Sequence, residues 1–312
     1  MDIRQLRYFS EIVNAKSFTK AANRVHVAQP ALGLQVRKLE EELGVELLHR
    51  HSRGVESTEE GKVLLRHANA ILKQVEQARQ EVRDLSGEPR GEIVLGITPT
   101  ASALLATPLI RECRATFPDI SLTLFEGLSE EIMKRLDDNS LDMGFTYNPS
   151  AVKGIATEPL MSEDLYLVGS TGKEDPGKTV SFSSVCERSL ILPNSGFGLR
   201  DWIEERAREK NYAINVALEI DSVAIIRDLV ENGLGCTILP FAAVQQSVNS
   251  TRLFASQIVR PRVPRTLHIG YSSSHMENKP ARAVRRIINK IISNNIADSE
   301  GVLRAPLKSQ CH

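Results

Sequence analysis

Cysteine is scarce. The chain has four in 312 residues, at 113, 186, 236 and 311, with no Cys-x-x-Cys pair and no zinc-like spacing. That pattern encodes neither a disulfide scaffold nor a structural metal centre, and a chain this large needs no staples. The four read as buried or free thiols. A redox-sensing pair is the alternative, because pairing cannot be read from sequence. No apolar run approaches the roughly 18 residues of a membrane span. The opening Met1–Phe9 has no basic segment leading into an apolar core and a cleavage site. The expectation is a cytoplasmic protein without membrane association. Net charge is absent too, 39 Lys and Arg meeting 39 Asp and Glu, so bulk charge does not announce a nucleic-acid binder. Enzyme signatures are also missing. There is no Gly-x-Ser-x-Gly, no Gly-x-x-x-x-Gly-Lys, no His-Glu-x-x-His and no dinucleotide fingerprint after Ile97. Gly233-Leu234-Gly235 lies between a helix-like and a strand-like stretch and reads as a turn. The sequence calls for no cofactor and no metal.

What is present is ordinary core-forming material, 41% hydrophobic and 25% charged, in a length that suggests about two domains. Charge is uneven. Residues 1–58 carry nine basic and seven acidic residues, residues 259–312 ten and three, and the middle is acidic. Asp2 can cap a helix with Ile3, Leu6, Phe9, Ile12 and Val13 inward, and Ser17 a second with Phe18, Ala21, Ala22 and Val25. A third opens at Gln29-Pro30, where proline suits a first turn, and stops at Gly44. Two helices joined by the four-residue Val25–Ala28, with small Ala21-Ala22 at the crossing, fit a helix-turn-helix, whose second helix enters the DNA major groove. Residues 46–50 and 54–56 read as two short strands around the basic turn His51-Ser52-Arg53, a wing.

Ser57 or Thr58 then caps a long helix, Ser57-Thr58-Glu59-Glu60 fitting a capping box. Leu64, Ala68, Ile71, Val75, Ala78, Val82 and Leu85 follow at alternating steps of four and three, a heptad seam that predicts dimerisation through residues 59–86. Residues 87–90 form a hinge. Beyond it, strand-like runs at 93–97, 122–125, 141–145, 165–168, 190–192, 216–220, 236–239 and 267–271 alternate with helix-like stretches at 101–116, 129–138, 198–210, 223–232 and 280–295, an α/β pattern. Chain order predicts two lobes within 91–296, lobe I from 91–160 and 267–296 and lobe II from 161–266, followed by a flexible tail at 297–312.

Ser17-Phe18-Thr19-Lys20-Ala21-Ala22, Val27-Ala28-Gln29-Pro30-Ala31-Leu32, Leu39-Glu40, Leu43-Gly44, Leu47-Leu48, Arg50, Arg53-Gly54 and Thr58-x-x-Gly61 resemble, in order and spacing, the winged helix-turn-helix of the LysR-type bacterial transcriptional regulators. Phe117-Pro118-Asp119, Leu141-Asp142, Glu163-Asp164-Leu165 and Gly233–Pro240 resemble the family's effector-binding region, which is similar to periplasmic binding proteins. Within the family the chain is similar to the nitrogen-assimilation-control branch. Two departures stand out. Many members have serine where this chain has Ala28, and Ser-Arg where it has Gly33-Leu34. Leu34 cannot make arginine's bidentate contact to guanine, so base reading shifts toward Gln29, Gln35 and apolar contacts to thymine methyls.

The resemblance places Gln29 and Pro30 in the major groove, where a glutamine amide can pair with adenine N6 and N7. Gln35 and Lys38 reach bases or phosphates, or form an ordinary polar face. Arg50 and Arg53 reach phosphates or the minor groove by resemblance, and Thr19, Lys20 and Arg37 position the duplex. In the α/β part, Thr98, Thr100 and Ser102 gather hydroxyls and free N–H groups at a helix start, favouring an anionic group such as a carboxylate. Asn194, Ser195, Phe197 and Arg200 form a second edge, with Tyr147, Ser222 and Phe241 completing a wall; capping explains Thr100 and Ser222 nearly as well. The implied function is a sequence-specific regulator on double-stranded DNA with an interrupted dyad. It would be a dimer through the long helix, by resemblance a tetramer, modulated by a small effector and acting with RNA polymerase. A ligand-independent regulator, with the α/β part serving only assembly, and a cytoplasmic solute-binding protein or enzyme on the same fold are the rivals.

Overall fold

Asp2 accepts from the Gln5 N–H and the Gln5 side chain answers from the Asp2 N–H, a capping box that starts α1 at Ile3–Ala15. In this computed structural model the described residues are 1–51, 54–83, 87–149, 151–152, 154–172, 175–272, 278–299 and 301–306, without the side chains of 73, 77, 80, 81, 83 and 272. They fall into two units, Met1–Glu88 with Lys134–Leu141, and Pro89–Met133 with the chain from Asp142 onward. The division lies inside the 87–90 segment read as a hinge.

In the first unit Ser17 caps α2, Phe18–Arg24, by accepting from Lys20 N. The third helix, α3, runs Gln29–Leu43, with proline in its first turn and Gly44 at φ 70° closing it. Its N-cap is Ala28, which makes no side-chain hydrogen bond. Phe9, Ile12, Ala21, Leu32, Val36 and Leu39 are fully buried together. The wing strands β1, Leu48–His51, and β2, Gly54–Ser57, pair antiparallel. Residues 46 and 47 precede the first strand, and Ser52 and Arg53 lie outside the described residues. Glu40 Oε1 accepts from the N–H groups of Leu47 and Leu48 at 2.9 and 3.3 Å, tying the wing to α3.

The long helix α4 spans Glu59–Arg83, about 37 Å at 1.5 Å per residue. Its cap differs from the box expected at Ser57-x-x-Glu60. Thr58 is the capping residue: its Oγ1 accepts from Gly61 N at 2.9 Å and donates to Glu46 O at 2.8 Å. Of the seam, Ala68 is fully buried, Leu64, Ile71 and Val75 are half-buried, Ala78 is exposed and Val82 is 76% exposed. Leu85 lies outside the described residues. The near end of the seam therefore packs on the three-helix core, and its far end faces away from it.

From Pro89 the chain continues with β3, Gly91–Ile97, then α5, Pro99–Thr116, β4, Ile120–Glu126, α6, Ser129–Asp137, whose end from Lys134 is counted with the first unit, and β5, Met143–Tyr147. β3 runs parallel to both β4 and β5. Asp142, placed in a strand by the sequence reading, instead precedes β5; its N–H donates to Val94 O and its Oδ2 accepts from Val94 N. The next strand, β6, is a single run of 16 residues, Ile155–Ser170, where only 165–168 was expected. Then come β7, Thr179–Ser181, α7, Phe182–Cys186, β8, Leu190–Leu192, α8, Gly198–Glu209, β9, Val216–Glu219, α9, Val223–Glu231, β10, Thr237–Pro240, a 3-10 turn at Phe241–Ala243, α10, Gln245–Asn249, and β11, Leu253–Val259. The chain returns through β12, Pro264–Ser272, and α11, Lys279–Asp298, and adds β13, Leu303–Arg304.

β6 serves both lobes. Its Ile155–Asp164 half pairs with β12 and its Leu165–Ser170 half with β10 and β11, all antiparallel. Two buried clusters follow this division, one ending at Met161 and resuming at Leu267, the other spanning Leu165–Val263. The chain thus passes to lobe II within β6, near 164, and returns between β11 and β12, just before 264, where sequence placed the boundaries at 160/161 and 266/267. The tail expectation also needs correction. α11 continues to Asp298, and β13 pairs with Ser162 and Glu163 of β6. Arg304 Nη2 reaches Asp164 Oδ1 at 2.6 Å, and Asp164 is fully buried. A buried carboxylate needs such a partner, and this one comes from the segment expected to be loose; residues 307–312 lie outside the described residues.

Candidate DNA interface and effector cleft

The recognition helix presents its first turns openly. Gln29, Pro30, Leu34, Arg37 and Lys38 are exposed, Gly33 and Gln35 half-buried, and Leu32, Val36 and Leu39 face the core. An open groove of about 590 Å³ is lined by Phe18, Gln29, Pro30, Gly33, Leu34, Arg37 and Arg50. Thr19 donates its hydroxyl to Gln29 Oε1 at 2.9 Å, and Arg50 stacks its guanidinium over the Phe18 ring at 4.3 Å. Five of the nine DNA-facing candidates therefore join through the groove or bond directly to a member of it: Gln29, Pro30, Arg37, Arg50 and Thr19. Lys20, Gln35 and Lys38 lie on the same two helices without lining it, and Arg53 is outside the described residues.

Two glycines hold the wing. Gly54 has φ 138°, and a Cβ there would meet Lys16 O at 2.7 Å. The neighbouring Val55 N–H donates to that same carbonyl at 3.2 Å. At Gly61 a Cβ would meet Leu47 O at 2.1 Å.

Across the lobes, Thr98 is the N-cap of α5 and makes no side-chain cap bond; it is 6% exposed and its hydroxyl has no partner among the described residues. Thr100 Oγ1 accepts from Arg265 Nη2 at 2.9 Å. Arg265 also pairs with Glu163 at 2.7 Å and lies 3.6 Å over the Tyr147 ring. Arg265 and Glu163 are both 3% exposed. Burial pushes the Tyr147 hydroxyl's pKa up, with the Arg265 charge opposing. That hydroxyl makes no hydrogen bond of ordinary geometry, although Glu163 and Thr100 lie beside it. Thr100, Tyr147, Glu163 and Arg265 thus form one buried polar cluster beside the point where β6 changes lobe, and Thr98 stands two residues before Thr100 at the cap of α5. Ser102 follows, half-buried, in the first turn of α5.

The lobe II edge is built differently from the sequence reading. Arg200 is buried but engaged: Nε donates to Glu204 at 2.6 Å, Nη1 to Pro193 O at 3.3 Å, and Glu219 lies 3.5 Å away. Those contacts fasten the 193–197 loop to α8. Asn194 is exposed and bound to Asp221, Ser195 is exposed, and Phe197 is buried in lobe II. Ser222 caps α9 by accepting from Ile225 N. Phe241 packs on Tyr166 and lines a separate cavity of about 420 Å³ with Leu104, Asn295 and Leu303. Sequence reasoning missed Ser129, whose Oγ accepts from Tyr147 N and lies 4.0 Å from the Cβ position of Gly198, bringing lobe I and the start of α8 together. It also missed Arg265, for which no local pattern gives a signal; Glu163 was visible only as part of a motif.

Among the described residues no cluster of His, Cys, Asp and Glu suits a metal ion, and no helix is long and apolar enough to cross a membrane. Cys113 and Cys186 are buried free thiols, each pushed to about 11, chiefly by burial. Cys236 is half-buried.

Comparison with known proteins agrees with this geometry. Residues 3–62 match "Bacterial regulatory helix-turn-helix protein, lysR family", and residues 86–291 match "LysR substrate binding domain". The nitrogen assimilation regulatory protein nac of Klebsiella aerogenes is 34% identical over 294 residues, 94% of this chain and 96% of that protein. Its counterpart in Escherichia coli K12 is 33% identical over 299 residues, 96% and 97% of the two chains. A full-length OxyR variant from Pseudomonas aeruginosa shares the fold with a TM-score of 0.80 at 24% identity, covering 100% of this chain and 99% of that one. Full-length CbnR complexed with target DNA does so at 0.56 and 23%, covering 94% and 100%. The chain belongs to the LysR family of DNA-binding transcriptional regulators, whose members join a helix-turn-helix to an effector-binding domain.

Proposed function

We propose that this regulator binds an interrupted dyad as a cytoplasmic dimer joined through α4, with two dimers forming a tetramer, and that a small anionic effector in the interlobe cleft biases one tetramer geometry. The observation that carries the DNA reading is the single open face on which Gln29, Pro30, Arg37 and Arg50 converge. Gln29 reads a base. Gln35 and Lys38 reach bases or phosphates, Arg50 and Arg53 phosphates or the minor groove, and Thr19, Lys20 and Arg37 position the duplex. The uncovered far end of the α4 seam, Ala78 and Val82, supports dimerisation through that helix.

For the effector, support comes from α5. An 18-residue helix begins at a buried Thr98 hydroxyl with no partner among the described residues, beside Thr100 and Ser102, so a carboxylate there would meet hydroxyls and free N–H groups. An effector that binds both geometries equally would shift nothing, so the ligand must contact both lobes; Ser129 and Gly198 mark where they approach. A regulator of this kind acts with RNA polymerase at its promoters.

Fluorescence anisotropy on interrupted-dyad and scrambled duplexes, across salt concentration, tests the proposal. Tight dyad-dependent binding that weakens with salt and in Gln29→Ala supports it. Equal, feeble binding to every duplex overturns it. Calorimetry with small carboxylates, on wild type and Thr98→Val, tests the cleft.

A further inference from the structure

Arginine at position 34 would present a forked donor to guanine; this chain presents leucine, 51% exposed, beside a bare glycine. Among the described residues nothing lies within 4 Å of the place a Cβ would occupy on Gly33. At 100° per residue, Gln29, Gly33 and Leu34 stand at about 0°, 40° and 140° around α3. They bracket one face, with an amide on one side, a branched apolar side chain on the other and bare helix backbone between them. All three line the same groove.

Such a face suits one chemistry. A base-pair edge can approach closely along Gly33, the amide can donate to adenine N7 and accept from N6, and the leucine can pack on a 5-methyl group, which in the major groove belongs to thymine alone. The amide is also oriented. The Thr19 hydroxyl donates to Gln29 Oε1 at 2.9 Å, occupying one lone pair and leaving the second to accept from a base while both Nε2 protons remain available.

We infer that Leu34 is a specificity-determining residue that reads a thymine methyl beside the base read by Gln29, with Thr19 as the positioning residue for the Gln29 amide. The inference rests on α3 being the base-reading helix. Loss of one methyl contact from a buried apolar surface corresponds to about a 3–10-fold loss of affinity.

The test uses the full-length protein on a duplex selected from a random pool, with each thymine replaced singly by deoxyuridine, which removes only the 5-methyl group. The expected result is a 3–10-fold loss at one thymine per half-site, abolished in Leu34→Ala, and a preference moved toward guanine at that step in Leu34→Arg. Thr19→Val is expected to reduce adenine preference at the Gln29 step without changing the salt slope, and Thr19→Ser to restore it. Uracil tolerated at every thymine overturns the inference, as does a Leu34→Ala loss that is equal on thymine and uracil duplexes. Either failure with sequence preference and Gln29→Ala sensitivity intact leaves α3 as the reading helix. Absence of any sequence preference overturns both.

Discussion

Gly61→Ala separates two opposing effects by the sign of its outcome. On helix propensity alone alanine near the start of α4 would stabilise by about 1 kcal/mol. The structure predicts the reverse. A Cβ at position 61 would sit 2.1 Å from Leu47 O and 3.1 Å from Leu47 C, where a comfortable contact is about 3.5 Å, so one partner must retreat by about 1.4 Å. Leu47 O accepts the Thr58 N–H at 3.0 Å, Leu47 N donates to Glu40, and Thr58 Oγ1 holds Glu46 O. Retreat strains or breaks these bonds, each worth about 1 kcal/mol net. Overpacking in addition gives a loss of about 2–4 kcal/mol. The single tryptophan, Trp202, lies on α8 and donates to Pro264 O, so its fluorescence reports the effector-binding unit alone. Far-UV circular dichroism reports both. The expected result is a first dichroism transition lowered by about 10–20 °C, an unchanged Trp202 transition, and weaker DNA binding. Unchanged or raised melting of Gly61→Ala would refute the reasoning about the wing.

Ala28→Ser supplies the hydroxyl that the N-cap of α3 lacks, and should stabilise the first unit by about 1 kcal/mol in the same melting experiment. Arg304→Ala removes the closest cation from the fully buried Asp164, leaving Gln257 at 2.6 Å and Arg262 at 3.9 Å; a destabilisation of about 1–3 kcal/mol should appear in the Trp202 denaturant transition. Arg265→Met leaves Glu163 buried without its partner and should destabilise the same transition by about 3–5 kcal/mol, with Glu163→Gln in the same chain recovering part of it. Burial lowers the proton affinity of His268 below the ordinary value of 6.5, against a favourable backbone contact with Thr266. The unfolded chain then binds the proton more readily, so no stability difference arises above pH 6.5 and stability falls as pH drops from there toward the folded value. His268→Gln should flatten that part of a pH series of urea midpoints.

Local chemistry made the first unit legible. Asp2, Ser17, Pro30 and Gly44 each mark a helix end by a mechanism that acts within four residues, and each stands where that mechanism places it. The capping box at Ser57 failed for a non-local reason, since Thr58 is held by Glu46 twelve residues earlier, which shifts the cap by one. The second unit follows the same rule. Helices α5, α6, α8, α9 and α11 were visible from their periodicity, whereas β7, β11 and β13 were not. The half of β6 that serves lobe I was also missed, because only the continuous apolar run Leu165–Val168 looks like a strand by itself. Its Ile155–Met161 portion is a strand because β12 pairs with it from more than a hundred residues away. Arg200 and Arg265 show the same limit for site residues. Local context singled out Arg200 as a ligand edge and gave no signal for Arg265, yet the first fastens a loop within lobe II while the second joins α5, β6 and β12.

Most of the motif residues that made the family recognisable are the ones that build the scaffold. Ala21, Ala22 and Leu39 fill the three-helix core; Ser17 and Thr58 cap helices; Glu40, Gly54 and Gly61 fix where the wing sits. Each is constrained by backbone or core contacts that any winged domain of this construction must satisfy, so each predicts how the duplex is held. Of the positions that depart, Ala28 stands at the cap of α3, whereas Gly33 and Leu34 line the open groove, and among the described residues nothing lies within 4 Å of a Cβ placed on Gly33. A substitution there costs the fold little and changes what the helix can recognise, which is why scaffold and sequence preference can vary independently in one domain. The same separation holds in the effector-binding unit, where the Glu163–Arg265 pair is buried between β6 and β12 while the Thr98 hydroxyl at the start of α5 has no partner among the described residues. Thr98 can therefore be changed without dismantling the Glu163–Arg265 pair that joins α5, β6 and β12, and variation among regulators of this construction should concentrate at positions like Thr98 and Leu34 rather than at Gly61 or Arg265.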